Sequence, residues 1–472
     1  MKIIPKIAAL VLTMLFASSV LGSCSYERPE GPDTEQTADV PTETDAPADP
    51  VKVHAYDPDN VVRSKAYLEE APGGDLGGMD IFISGPSAPM LSPDGASYIS
   101  KEISERNRAV EQKLNVKLDF SEVAAADLYA DAAASVASGM YYTDVMTVPI
   151  GSVGSFFTAG CLTNLESLPY LDLSAPYFNE RSVTALSPGK YCLGFASDAY
   201  PLLRETPALF YNRAIEGDDP GMLERAAKDG TLTWDFVLTA AQTNLSALGE
   251  GSFAVSVGNP AATLPQTVFL SGTGRVLTTT PSVPTVAFAA EWLAVPSSVV
   301  NAISASSPGK DEGADLFKGG KVAYRIEYVK NAASLNGEAT EFGVVPLPKI
   351  TAEGEYRALV SPYCPVFTVI AGTKNSAEIS LVLSSLSAAS YGVIPEHCVD
   401  EVIVTAMRDD KSGDMLELIS KTAEFDLSSA ISGASSAVAA AVNYIGQAAA
   451  GSGGDFALIA ASANAALAEL FG

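Results

Sequence analysis

The sequence predicts an α/β protein of two lobes behind an N-terminal tether. Three observations carry this. Between residues 79 and 148, apolar strand-length runs alternate with amphipathic helix-length runs, the pattern of a parallel sheet with helices on its faces. A second set of strand-like runs, at 206–211, 253–257 and 321–326, follows with helices of its own. About 450 residues remain beyond the first 23, too many for one small core.

The elements follow in order. Residues 79–84 (MDIFIS) read as a buried strand after Gly77-Gly78. A helix is expected over 98–113, because Ile99, Ile103, Val110 and Leu114 mostly keep 3.6 spacing. Residues 116–120 (VKLDF) alternate like a strand, 124–138 read as a helix that stops at Gly139, and 144–148 as a strand. After the apolar strand 206–211 (TPALFY), helices are expected over 220–228 and from Thr233-Trp234-Asp235, where Thr233 can cap. Residues 253–257 are strand, 271–284 a Gly/Thr/Pro loop, 288–293 helix with Trp292 in the core, and 321–326 (KVAYRI) strand after Gly319-Gly320. Residues 342–348 (FGVVPLP) must be extended, as their prolines demand, and 376–390 is a helix. The last sixty residues alternate Ala-rich helices with Gly breaks; Asp426, Gln447 and Asp455 argue for packed helices over a membrane element.

The N-terminus carries its own signal. Lys2 and Lys6 precede an apolar run from Ile7 to Val20, too short to span a bilayer comfortably. Leu21-Gly22-Ser23-Cys24 then resembles a bacterial lipoprotein lipobox. The resemblance implies a lipoprotein signal peptide over 1–23 and lipidation of Cys24. The chain beyond it would lie extracytoplasmic, anchored to the cell membrane by acyl chains worth about 0.8 kcal/mol per buried CH₂. An ordinary signal peptide followed by a chance Cys is the alternative. Residues 25–50 are rich in Asp, Glu, Thr and Pro and hold almost no large apolar side chain, so they cannot offset their ordering entropy. The span 24–77 is read as a lipid-anchored disordered linker with a short strand near 52–55; a partner-binding acidic tail is the other reading of its acidic part.

Composition excludes several classes. The net charge of −27, which becomes −29 once Lys2 and Lys6 leave with the leader, argues against nucleic acid and anionic surfaces. Cys161, Cys192, Cys364 and Cys398 form no CxxC pair, and buried thiols are favoured over two disulfides. The only histidines are His54 and His397. No G-x-S-x-G, HExxH, Walker A or G-x-G-x-x-G motif occurs, and Gly272-Thr273-Gly274 lacks a third glycine. We therefore expect no catalytic residue, metal or cofactor, with a two-carboxylate glycosidase as the enzymatic alternative.

Several segments together resemble one family. They are ERNRAVEQKLNVKL (105–118) with YTDVM (142–146), LPYLDLSAPYFNE (168–180) with GKY (189–191), and Asp198 with LFYN (209–212). TWDFVLTAA (233–241), LFKGGKVAY (316–324) with GVVPLP (343–348) and Glu355-Tyr356 follow. Ser390-Tyr391, Pro395, Arg408-Asp409 and Met415-Leu416 complete the set. In this order, behind a lipobox, the chain resembles the extracellular solute-binding proteins (family 1 type) that feed bacterial ABC importers. The resemblance implies a two-lobed periplasmic-binding-protein-like fold, with hinge strands and a ligand cleft between lobes that close on a solute. It implies lobe 1 over 78–210, lobe 2 over 211–348, a return to lobe 1 over 349–408, and C-terminal helices 409–472 mostly in lobe 2. Crossings would fall near 211–212, 346–355 and 408–415. Partners would be a small solute, most readily a sugar or oligosaccharide, and the permease transmembrane subunits. A peptide or other polar solute, a surface-anchored glycan-active enzyme and an adhesive lipoprotein remain the alternatives. The chain departs from the family where a Trp pair is replaced by Tyr177-Phe178, a Glu by Ser384, and aromatics near His397-Cys398 are missing.

A sugar needs flat apolar platforms for its C–H faces and planar polar groups for its hydroxyls. Tyr141, Tyr142 and Asp144, at the start of a strand after Gly139, fit that need, with core packing and capping as their other reading. Asp198 and Tyr200 lie in the loop before the crossing strand. Arg325, Glu327 and Tyr328 end the KVAYRI strand, and in maltodextrin-type relatives the loop after this strand supplies an aromatic platform. Tyr363 and Trp234 complete the candidates, Trp234 with helix-start packing as its other reading.

Overall fold

Strand β1 (Met79–Gly85) buries Ile81 and Ile83 completely and pairs in parallel with β2 (Val116–Glu122) and β3 (Val145–Pro149). The computed structural model describes residues 58–472 apart from 94, 96, 97, 281, 282, 309–311, 338, 339 and 410. The signal peptide, Cys24, residues 25–50 and the strand expected near 52–55 lie outside the described residues. Helix Ser100–Leu114 connects β1 to β2, and helix Ala125–Ser138 connects β2 to β3, which is the expected strand–helix alternation. The second helix stops where Gly139 turns left-handed at φ 67°, a conformation that favours glycine. A fourth strand, β9 (Pro365–Val369), joins from far along the chain and runs antiparallel to β3, giving the order β2-β1-β3-β9. Helix Ser376–Ser390 covers this sheet and contributes Ile379, Val382 and Leu386 to its core with Val110 and Leu114.

The second sheet has the order β5-β6-β4-β7, from Phe253–Val257, Val322–Tyr328, Pro207–Asn212 and Phe342–Pro346. β4 is antiparallel to both β6 and β7, while β5 and β6 are parallel. Every residue of β4, β6 and β7 is buried, which explains their apolar sequence apart from Asn212 on β4 and the paired Arg325 and Glu327 on β6. Thr233 caps helix Trp234–Asn244, its hydroxyl accepting from the Phe236 amide at 3.2 Å, and Trp234 then packs into the core of this sheet.

A two-stranded ribbon of β8 (Ala358–Leu359) and β10 (Ala423–Glu424) accompanies the two sheets. A third apolar cluster joins β3 and helix Val153–Thr158 to helices Leu264–Thr273, Leu427–Ile431, Ser436–Ala449 and Phe456–Phe471. Its outer part includes the stacked rings of Phe157 and Phe471, with centroids 5.1 Å apart. Among the described residues, no single helix is long and apolar enough to cross a membrane.

Four expectations need correction. The linker does not extend to 77: Pro58–Glu70 is a helix, and Tyr67 packs edge-on against Tyr391 at 5.0 Å and Tyr177 at 6.0 Å. Its charged face hid that apolar stripe. The boundary at 210/211 would cut β4, which lies entirely in the second sheet, so the first crossing precedes Pro207. Helix Val393–Val402 places Ile394, Cys398 and Val399 in the second-sheet cluster, so the segment that covers the first sheet ends near 390. Trp292, expected in the core, is 46% exposed. The four described cysteines are buried free thiols, and burial pushes Cys192 up to about 11 and Cys398 up to about 12.

Candidate functional site

Parallel strands expose backbone ends and loops at their C-terminal edge, and ligands collect there. At that edge of β3 the chain turns through Ile150-Gly151, and two hydrogen bonds tie it to the turn before β9. Ile150 N donates to Cys364 O at 2.9 Å, and Gly151 N to Pro362 O at 2.9 Å. Facing this edge are Thr263 and Gln266 at the start of helix Leu264–Thr273, the corner from Ser428 to Gly433, and Asn443 on helix Ser436–Ala449. Together they enclose a cavity of about 360 Å³ whose walls come from both sides. Leu359, Val360 and Val442 supply its apolar part.

Among the described residues, no ionisable side chain lines this cavity. Its polar groups are the hydroxyls of Thr263, Ser428, Ser429 and Ser432 and the amides of Gln266 and Asn443. Hydroxyls and amides both donate and accept, which suits a neutral ligand bearing many hydroxyls. The two walls approach closely beside it. A Cβ on Gly154 would sit 2.8 Å from Ala430 O and 2.9 Å from Ile431 Cα, so only glycine permits this contact.

A buried polar chain supports the cavity floor. The Tyr328 hydroxyl lies 3.4 Å from Thr263 Oγ1, and Lys330 Nζ stands 5.6 Å over the Tyr328 ring. Lys330 Nζ is 2.7 Å from Glu205, which also accepts from the Tyr200 hydroxyl at 3.1 Å. The Glu205 carbonyl takes the Ser361 amide at 2.9 Å, and the Ser361 hydroxyl takes the Tyr363 amide at 3.1 Å. Burial raises the Tyr328 and Tyr200 hydroxyls above their ordinary range, keeping both as donors. Tyr363, 71% exposed, follows the lining residue Pro362.

Arg325 and Glu327 form a buried ion pair at 2.9 Å beneath Gly258. Glu327 also accepts from the amides of Asn259 at 3.3 Å and Tyr328 at 3.0 Å and from Asn331 Nδ2 at 3.1 Å. The pair thus fixes the turn that leads from β5 to Thr263. It positions the wall and does not line it.

No family profile matches this chain, and no curated protein matches it. Solved structures do. The chain is similar to a cyclic alpha-maltosyl-1,6-maltose binding protein from Arthrobacter globiformis, with TM-score 0.55, 16% identity, and coverage of 83% of this chain and 100% of that one. It is also similar to an extracellular solute-binding protein family 1 structure from Alicyclobacillus acidocaldarius, with TM-score 0.50, 13% identity, and coverage of 84% and 99%. This chain has the two-lobed, periplasmic-binding-protein-like fold. In the division expected for that fold, the first sheet is the core of lobe 1 and the second that of lobe 2.

The two-lobed frame separates the candidate residues. Tyr328 stands behind the lining residue Thr263 and Tyr363 follows the lining residue Pro362, while Tyr200, Arg325 and Glu327 sit farther from the cavity; none of the five lines it. Trp234 is core, 1% exposed in lobe 2. Asp144, Tyr142 and Tyr141 lie at the N-terminal end of β3, seven, nine and ten residues before Gly151 and about 20 Å or more from it by strand rise, and none of them lines this cavity.

Asp198 lines a different cavity, of about 480 Å³, with Asn60, Tyr391 and the charged groups Glu396, Glu417 and Lys421. It accepts from Gly392 N at 2.8 Å, and burial pushes its carboxyl up to about 6. A carboxyl raised in the fold opposes folding once it ionises. Its contribution to stability is therefore most favourable below pH 4, falls as pH rises from about 4 to 6, and stays lower above that. Asp198→Asn keeps the acceptor for Gly392 and removes the charge. We expect it to match the parent at pH 4 and to exceed it above pH 6 by as much as ~3 kcal/mol in chemical denaturation.

Sequence reading missed the polar wall: Thr263, Gln266, Ser428, Ser429, Ser432 and Asn443. Small polar residues on helix starts and corners look like caps, and these six come from segments nearly two hundred residues apart. The Gly/Ser break at Ser432-Gly433, inside an Ala-rich helical region, was the available signal.

Proposed function

We propose that this chain is the solute-binding component of an ABC importer, and that it captures a neutral, polyhydroxylated solute, a sugar or short oligosaccharide, between its lobes. The observation that carries the ligand class is the cavity wall, which has contributions from both sides and no ionisable side chain. An amino acid, peptide or sugar acid would bury its charge there without a partner. The same wall offers no general acid or base, which favours binding over turnover. The similar Arthrobacter structure, named for binding a maltosyl-maltose, is consistent with this reading. Lobe closure would complete the polar wall around the solute, and the closed form would dock on the permease.

Cys24 gives the protein its place. Lipidated there, the domain would stay beside its transporter at high effective concentration. Cys24→Ala is expected to move the protein from the membrane fraction to the medium or periplasm, with solute affinity of the purified protein unchanged. Mass spectrometry of solute released from the purified protein tests the ligand class. A neutral saccharide is expected, and a peptide or amino acid in its place would count against the proposal.

A further inference from the structure

The residues first suspected of holding a ligand occupy a site of their own. At the N-terminal edge of β3 a cavity of about 290 Å³ opens between two glycine turns. One turn, at Gly139, ends helix Ala125–Ser138; the other, at Gly372 with φ 80°, follows β9. A Cβ at either glycine would meet open space, so the cavity mouth is unobstructed there. Tyr141 and Tyr142 line it on one side and Thr373, Lys374 and Asn375 on the other.

Tyr141 is 62% exposed, yet it is held. Its hydroxyl donates to Asp144 Oδ2 at 2.9 Å, and its ring packs edge-on against Phe82 with centroids 6.2 Å apart. Asp144, 1% exposed, is fixed in turn by the Phe82 amide at 3.0 Å and by Asn375 Nδ2 at 3.3 Å. A buried carboxylate that orients a surface aromatic ring makes a preorganised platform, because little freedom remains to be lost on binding. Core packing needs no such clamp on a ring left mostly in solvent.

We propose that this edge of lobe 1 is a second saccharide site, which binds one sugar unit of a neutral glycan with its C–H face on Tyr141. Thr373 and Lys374 stand where hydroxyls of that ring would reach them, and the volume, near the lower end of the usual range for ligand pockets, suits a short segment of a longer chain. The surrounding chain is strongly acidic, which disfavours an anionic polymer. The site lies about 20 Å by strand rise from the cavity between the lobes and stands independently of it.

Affinity electrophoresis of the full mature chain through gels containing dextran, amylopectin, xylan or a mixed-linkage β-glucan tests the site. At least one polysaccharide is expected to retard the protein. Tyr141→Ala should weaken that retardation about three- to tenfold, as expected for a lost aromatic platform. Tyr141→Phe keeps the ring and loses the clamp, and should fall between. Gln266→Ala, in the cavity between the lobes, should leave retardation unchanged. Lys374→Ala, at an exposed position, supplies a second variant if Tyr141→Ala perturbs folding by circular dichroism. Retardation by none of the four polysaccharides, retardation unaffected by both Tyr141→Ala and Lys374→Ala, or loss in Gln266→Ala alone would overturn the proposal.

Discussion

Arg325→Met should destabilise the protein by about 3–5 kcal/mol, because it strands Glu327 as a buried charge. Arg325 and Glu327 are 5% and 3% exposed, so water cannot replace the missing guanidinium. The remaining donors to Glu327, from Asn259, Tyr328 and Asn331, limit the loss without neutralising the charge. Glu327→Gln should cost a similar amount: with its amide oxygen on those donors, its NH2 faces the Arg325 guanidinium and leaves that buried charge unpaired. Urea denaturation of the two variants checks this: a methionine variant as stable as the parent would show that the pair does not hold the Gly258 turn. Because that turn leads to Thr263, the methionine variant should also bind solute more weakly under conditions where it remains folded.

Gly154→Leu should weaken solute binding tenfold or more and lower stability by about 1–3 kcal/mol, the usual penalty for overpacking. The added Cβ alone would lie within 3.0 Å of Ala430 O and Ile431 Cα. Both are backbone atoms, so no side-chain rotation relieves the clash, and helices Val153–Thr158 and Leu427–Ile431 must separate. Those helices bring together the walls of the cavity proposed to hold the solute. Small-angle scattering should report a larger radius of gyration for the variant, and calorimetry the loss of affinity. Unchanged dimensions and affinity would mean that this contact does not govern closure.

Much of the architecture was legible in the sequence because local signals and tertiary demands agree. MDIFIS and FAVSV are strands by any measure of β-branched and aromatic content, and Gly139 and Thr233 punctuate helices by mechanisms that act locally. The antiparallel insertion of β9 beside β3 was not legible, since nothing in PVFTV states its partner. The lobe boundaries failed for a similar reason. β4 is as apolar as any strand of the first sheet, and its allegiance depends on pairing with β6 and β7.

The site was read less well. Searching for aromatic residues found none that line the cavity: Tyr328 stands behind Thr263, Tyr363 follows Pro362, and Tyr200 is linked to Tyr328 through Glu205 and Lys330. The same search gathered Tyr141, Tyr142 and Asp144, whose strand was recognised but whose end of that strand faces away from the cavity. Asp198 was chosen for its loop and lies in another cavity. The serines, glutamine and asparagine of the wall carry no sequence pattern, because their proximity arises only when helices distant in the chain converge.

Thermal unfolding of the full mature chain against matched neutral and charged sugars tests the central claim most directly. Each neutral saccharide should be paired with its uronic acid and its amino sugar. A ligand at a hundred times its Kd adds about 2.7 kcal/mol to stability, enough to move Tm by several degrees. The account predicts a dose-dependent rise with at least one neutral saccharide, a smaller rise or none with its charged counterparts, and loss of the effect in the double variant Gln266→Ala/Asn443→Ala. A rise as large with the charged sugars, or one that survives the double variant, would contradict it.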